Sequence, residues 1–420
     1  MRKKGIFYGW WILLSTSVIH FWGAGVFVYS FTAFFNPLVR DFHWSYAATS
    51  FTASFRSLES GIAAPVVGFL TDKFGARRLM IIGAAWAGIG FMLLSQINSL
   101  WSFYATFIFL SIGMSMMLPV PGWTIINNWF SRKRGTAMGV VNAAVGASGV
   151  LIPLVNWLIT QYGWRATFTI AGIGMWVIGI PLSLIIRHRP EQYGYLPDGE
   201  EHLMKEPQTP ARQKQPRLNE EATGFGVKQA IKTRAFWILA LTVTSSGAAL
   251  HAVALHVMPA LISVQMPREL ASSIAALVVL SSIAGRMGFG WLGDRLDKKY
   301  LLASSLLLQA LGLIIFAYTR SLAYAIAFLA LFGPGWGGVS TLRLTIQGEY
   351  FGRKSFGSIQ GLMLGIGMVG TILGPVFAGW IYDIQSSYQL AWLTLAIIVF
   401  FSIPLTLTIK PPKEQVTPSI

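Results

Sequence analysis

The chain has 420 residues, of which 54% are hydrophobic and 11% charged, and a formal net charge of +16. A water-soluble globule of this length needs far more polar surface than that, so a soluble fold is excluded. Cysteine is absent, which excludes disulfides, thiolate metal sites and cysteine nucleophiles.

Nearly charge-free runs of about 18 residues or more recur along the chain, each long enough to cross a bilayer. The first begins at Gly5 and meets no Lys, Arg, Asp or Glu until Arg40. It is too long for a signal peptide and lacks a clear small-residue cleavage site, so it reads as a retained first helix. Spans are predicted at 8–36, 45–71, 76–96, 100–129, 134–160, 164–187, 234–262, 270–293, 299–318, 321–349, 355–382 and 388–409. Between the sixth and seventh lies the one long polar segment, 188–233, mixed in charge and containing several prolines. It reads as a linker between an N-terminal unit, 1–187, and a C-terminal unit, 234–420.

The N-terminus, every second loop and the C-terminus hold 25 of the 32 Lys and Arg. The opposite loops hold only Arg40, Arg165, Arg268 and Arg320, and Arg56, Arg286 and Arg343 lie inside spans. Basic loops stay on the cytoplasmic side, so both termini and the linker are expected there. The positive charge is an orientation signal, and no nucleic-acid partner is expected.

Two landmarks repeat. Gly68-Phe69-Leu70-Thr71-Asp72-Lys73-Phe74-Gly75-Ala76-Arg77-Arg78 has a copy in Gly290-Trp291-Leu292-Gly293-Asp294-Arg295-Leu296-Asp297-Lys298-Lys299, with Asp72 and Asp294 222 positions apart. Trp129-Phe130-Ser131-Arg132-Lys133 matches Tyr350-Phe351-Gly352-Arg353-Lys354 at almost the same spacing. Two landmarks in one register mean two related halves.

The loop phrase resembles the signature of the major facilitator superfamily. The first copy keeps nearly all of it, and the second has Asp297 in place of the later glycine. The phrase beginning Arg189-Pro190-Glu191-Gln192-Tyr193-Gly194 resembles one that follows the sixth helix in bacterial relatives of monocarboxylate transporters and oxalate:formate antiporters. Asn128-Trp129-Phe130, Arg134-Gly135-Thr136-Ala137-Met138-Gly139 and Ala235-Phe236-Trp237 resemble the same group. The resemblance implies an all-α membrane protein of twelve spans, in two six-helix bundles related by a pseudo-two-fold axis. It implies alternating access around a central site, in an inner membrane and as a monomer. Asp72, with Arg77 and Arg78, and in the second half Asp294, would gate the cytoplasmic side.

Ionisable groups inside a membrane are functional candidates, because each costs at least about 2.5 kcal/mol at a helix centre. Arg286 and Arg343 each lie eight residues before a cytoplasmic loop landmark, about 12 Å into the bilayer. Gly285-Arg286 followed by Gly290-Trp291-Leu292 resembles the eighth helix of monocarboxylate and oxalate carriers, where an arginine binds the substrate carboxylate. A guanidinium suits that chemistry, being permanently charged and able to bind a carboxylate at two points. Mammalian monocarboxylate carriers have an aspartate one turn earlier, where this chain has Ser282. The lysine that oxalate carriers hold in helix 11 is absent between Ser355 and Tyr382, which argues against oxalate.

Arg343 admits two readings, a second anion-binding cation or a structural ion pair with another helix. Arg56 and Glu59, at i and i+3, read as a gate or bridge. Glu59, His251 and His256 are the candidates for carrying a coupling proton, and His20 reads as a neutral histidine bonded to a backbone carbonyl. Tyr29 resembles a cavity-lining tyrosine of oxalate carriers, and Trp336 sits in the bendable stretch Gly333-Pro334-Gly335-Trp336-Gly337. Gly370-Thr371-Ile372-Leu373-Gly374-Pro375 is read as helix packing. No metal cluster, nucleotide loop or nucleophile–base spacing appears, so neither a cofactor nor an enzyme activity is expected. The expectation is a proton-coupled transporter of a small carboxylate. The alternatives are a proton-driven efflux pump for lipophilic compounds and a metabolite sensor. The absence of charge between Leu100 and Phe130 weighs against the pump.

Overall fold

The computed structural model describes residues 6–44, 46–198 and 224–412, with the side chains of 32 and 46–58 outside that description. Twelve spans are present. α1 runs through Gly9–Gly23, a π-helical turn Ala24–Tyr29, and Phe31–Phe42. It extends past the predicted end because Pro37 is carried inside the helix. α2 is Tyr46–Phe74 and α3 is Ala76–Leu94. α4 comprises Leu100–Met117 and Val120–Trp129, interrupted at Leu118-Pro119. α5 begins with Arg134–Ala147 and continues through a 3-10 turn into the run Leu151–Gly174. Gly163, with φ 79°, breaks that run. Its second part, with Met175–Gly179 and Ile180–Ile185, is α6. Only glycine holds such a backbone without strain, which lets the chain turn from one span into the next within a few residues.

The second half is more regular. α7 is Arg234–Ser263, α8 Arg268–Gly293, α9 Lys298–Ala317, α10 Leu322–Phe351, α11 Phe356–Gln385 and α12 Gln389–Leu407. Prolines 259, 334, 375 and 404 lie inside these helices, as membrane helices tolerate when neighbours satisfy the freed backbone groups. No strand occurs among the described residues. Residues 199–223 of the predicted linker, and the side chain of Arg56, lie outside them.

The apolar interior divides in two. One buried cluster runs from Ile12 to Ile186, joined by Leu344 and Phe356, and the other from Phe225 to Ile409. Side chains such as Leu255, Val376 and Phe401 are exposed on the outer faces, where lipid would meet them. The described residues therefore form two six-helix bundles, with their first and last spans opening and closing on one face, since the span number is even.

The bundles touch along two seams, α2 against α11 and α5 against α8. Hydrophobicity gives no drive between helices in lipid, so close backbone approach must do the work. Small residues supply it. A Cβ on Gly361 would run into the Ala64 carbonyl, and one on Gly135 or Gly290 would strike the other's backbone. Gly370 and Gly374 have the same relation to Thr244 and Ala248 of α7, so their motif is helix packing.

Candidate functional site

Arg286 projects from α8 across the second seam and is 4% exposed. Its Nη1 donates to the Asn142 carbonyl of α5 at 2.6 Å. Its guanidinium lies 4.6 Å from the Trp336 ring centre, from α10, and hydrogen-bonds the Tyr29 side chain from α1. Tyr29 ends the π-helical turn of α1, an irregularity that turns the following residues and is common at functional sites. Three residues singled out separately in the sequence therefore meet at one guanidinium.

Arg343 of α10 stands close by. Its guanidinium is 5.4 Å from the Trp123 ring centre of α4, and its Nη1 is 3.4 Å from Gln360 Oε1 of α11. Glu349, the nearest acid along its own helix, pairs with Lys298 at 2.8 Å instead. Asn142 links the two arginines. Its carbonyl accepts from Arg286, and its side-chain Oδ1 accepts from Trp123 Nε1 at 3.0 Å. An indole nitrogen only donates, so this bond fixes which end of the amide faces it.

The balance of donors and acceptors is uneven. Arg286 Nε, Asn142 Nδ2 and Gln360 Nε2 are buried donors with no acceptor among the described residues. Native interiors satisfy nearly all such groups, and an unmet buried donor costs about 1–3 kcal/mol. A carboxylate is acceptor-only and can take several such bonds at once. Sequence reasoning missed Trp123, Asn142 and Gln360; neutral polar and aromatic residues inside spans carry no charge cost to flag them.

The two signature aspartates act on helix ends; Asp72 itself lies in the last turn of α2, because that helix runs on through the expected loop to Phe74, and Asp294 caps α8. Asp72 accepts from the Gly357 amide at 3.0 Å and from the Ser358 amide and hydroxyl at 2.7 and 2.6 Å, at the start of α11. Asp294 accepts from the Gly135 amide at 2.7 Å and from the Thr136 amide and hydroxyl at 2.8 and 2.5 Å, at the start of α5. Unpaired amides and the helix dipole make an N-terminus attractive to a carboxylate. Arg77 and Arg78, expected to share this gating, make no hydrogen bond or ion pair among the described residues; the donors to Asp72 are two amides and one hydroxyl. Arg353 adds to the closure through Glu191 Oε1 at 2.6 Å and the Asn128 carbonyl at 3.1 Å.

The other candidates lie apart. Glu59 accepts from Ser115 of α4 at 3.1 Å. His251 Nδ1 is 2.9 Å from the Gly247 carbonyl of its own helix. His256 bridges three helices, with Nε2 3.0 Å from the Pro375 carbonyl and Nδ1 3.2 Å from the Tyr388 hydroxyl. His20 Nδ1 is 2.8 Å from the Thr16 carbonyl, the local backbone bond expected of it.

Comparison with known proteins adds the family. The family model described as Major Facilitator Superfamily matches residues 13–266 and 254–419. The MFS-type transporter YcxA of Bacillus subtilis (strain 168) is 26% identical over 424 residues, covering 96% of this chain and 95% of that protein. Monocarboxylate transporter 13 of Bos taurus is 25% identical over 402 residues, covering 91% and 84%. Among solved structures, the human organic anion transporter MFSD10 (TETRAN) superposes with a TM-score of 0.67 at 14% identity, covering 94% and 99%. The last likeness is one of fold.

Proposed function

The chain belongs to the major facilitator superfamily, and we propose that within it this protein is a secondary transporter of a small organic anion, a monocarboxylate. The observation that carries this reading is the donor surplus around Arg286, whose guanidinium is buried with no carboxylate beside it among the described residues. A substrate carboxylate supplies the missing charge and acceptors, and a guanidinium meets it at two points. Relatives named monocarboxylate transporters support the same substrate class.

Transport proceeds by alternating access. With Asp72 and Asp294 bound to their helix ends, the face carrying the termini is shut. We assign that face to the cytoplasm from its excess of Lys and Arg. Release of both aspartates lets the bundles rock about the arginine site and open it inward. A proton accompanies the substrate, with Glu59, His251 and His256 as the candidate carriers.

Uptake of labelled monocarboxylates into proteoliposomes, with and without an imposed pH gradient, tests this reading. Accumulation driven by an inward proton gradient is expected. Binding without any uptake would favour a sensor. Replacing Glu59, His251 and His256 together by Gln should change the pH profile of uptake; an unchanged profile would place the coupling proton on the substrate itself.

A further inference from the structure

The cavity at the start of α7 and the end of α12 has a volume of about 740 Å³ and lies far along the chain from the arginine site. Lys228, Lys232, Arg234 and Lys410 line it, over an apolar floor that includes Ile238 and Ile409. None of these four cations makes an ion pair or side-chain hydrogen bond among the described residues. Trp237, which precedes the lining residue Ile238 in the chain, is exposed, its Nε1 donating to the Ile231 carbonyl at 2.8 Å. Indoles at such a position settle at the boundary between lipid and water.

The matching place in the first half is built differently. In the 222-residue register, Tyr8, Ile185 and His188 correspond to Ala230, Leu407 and Lys410. There the chain fills its own cleft. The Tyr8 hydroxyl donates to the Ile185 carbonyl at 2.8 Å, and the Arg187 guanidinium stacks on Tyr8 at 4.1 Å and on Tyr193 at 4.4 Å. One half therefore closes this corner with tyrosines and a stacked arginine. The other presents four cations, none paired among the described residues, around an apolar-floored cavity.

We propose that this cavity binds the phosphate headgroup of an anionic lipid, with its acyl chains running down beside Ile238, Ile409 and Trp237. The cations supply charge complementarity to a phosphodiester, and clusters of basic residues at a span end recognise anionic headgroups in this way. The apolar floor distinguishes such a ligand from a free phosphate, which has nothing to place there.

The test uses the delipidated full chain in detergent, titrated with dihexanoyl phosphatidylglycerol, dihexanoyl phosphatidylcholine or inorganic phosphate, with binding read by native mass spectrometry. The glycerol lipid should bind more tightly than the choline lipid. Each cation replaced by Gln should weaken it about fivefold, and the quadruple variant Lys228→Gln, Lys232→Gln, Arg234→Gln, Lys410→Gln should lose selectivity. A control with Lys73, Arg132, Arg295 and Lys354 replaced by Gln should keep it. Equal loss in that control overturns the proposal, because the effect is then diffuse charge. Inorganic phosphate that competes as tightly as the lipid overturns the lipid assignment in favour of a soluble phosphate. Lipid binding that appears only in a chain ending at Pro412 overturns it by assigning the cavity to residues 413–420.

Discussion

The two seams between the bundles are built from the same parts and do different things. In both, small residues bring two helices into backbone contact, and a loop aspartate closes one end on a helix N-terminus. Along α2 and α11 the described contact beyond the Asp72 latch is close packing: Gly61 faces Met368, and Ala64 faces Gly361. Along α5 and α8 the same close approach carries Arg286, and Gly146 leaves room for its guanidinium. The two seams thus share one plan, and among the described side chains the α5–α8 seam carries a buried guanidinium. A seam already tight enough to exclude water is where a guanidinium gains most from an incoming anion.

The contrast is broken most severely at Arg286. Arg286→Lys keeps the charge but loses the planar two-point contact. Loss of a charged hydrogen bond is worth about 1.5–3 kcal/mol, so carboxylate affinity should fall about 10- to 150-fold in equilibrium binding. Arg343→Lys should be milder for a monocarboxylate and comparable for a dicarboxylate. If Arg343→Lys is the damaging change and Arg286→Lys is silent, the functional charge belongs to α10 and not to the seam.

The latches should respond alike, because their geometry is alike. Asp72→Asn or Asp294→Asn puts an amide donor where an acceptor faces a backbone N–H. Each should shift the closed–open ratio by about tenfold or more, slowing turnover while substrate binding persists. The chain has no cysteine, so Asn127→Cys gives a background-free report of access from the terminus-bearing face. Unequal labelling in the two variants would show that the seams do not share the gate evenly.

Glycine substitutions sharpen the difference further. Gly361→Ala sets a methyl group against the Ala64 backbone, which cannot yield, and should cost about 1–3 kcal/mol of stability with the affinity kept. Gly146→Ala meets side chains that can move, Arg286 first and then Ile283, so affinity should fall with the melting temperature nearly unchanged. The reverse pattern would mean that the α5–α8 seam is the structural one.

The smallest effect lies outside both seams. His188, beyond the end of α6, accepts from the Ala76 amide at 3.3 Å, and burial, with Arg189 beside it, lowers its pKa from 6.5 to about 4. The folded form disfavours the proton that the unfolded chain takes up. Its contribution is therefore complete above pH 6.5 and declines as pH falls towards 4. Thermal melts across that window should flatten in His188→Gln, which keeps an acceptor but cannot titrate.

Much of this was legible in the sequence for physical reasons. Charge-free length marks a span, and a repeated Gly–Asp phrase marks a loop in each half. An arginine with no acid one turn away marks a site. Tyr29 was found through resemblance and Trp336 through the glycines and proline around it, and the structure sets both against Arg286. Asn142 was not legible, because its role depends on a backbone carbonyl turned toward another bundle. Nor was Ser115 as the partner of Glu59, 56 positions along the chain. Which helix end receives Asp72 was not legible either, because Gly357 and Ser358 lie 285 and 286 positions along the chain.

That choice of partner bears on how the gate tolerates change. Four of the six bonds made by Asp72 and Asp294 come from the main chain. A main-chain amide is present in every residue but proline, so drift in the sequence of the receiving helices leaves those four donors in place. Mutational risk is concentrated in the two aspartates. The salt of the surrounding medium also has less purchase, since both carboxylates are half-buried against the helix ends they meet. A gate of this kind keeps its strength while the rest of its surface diverges.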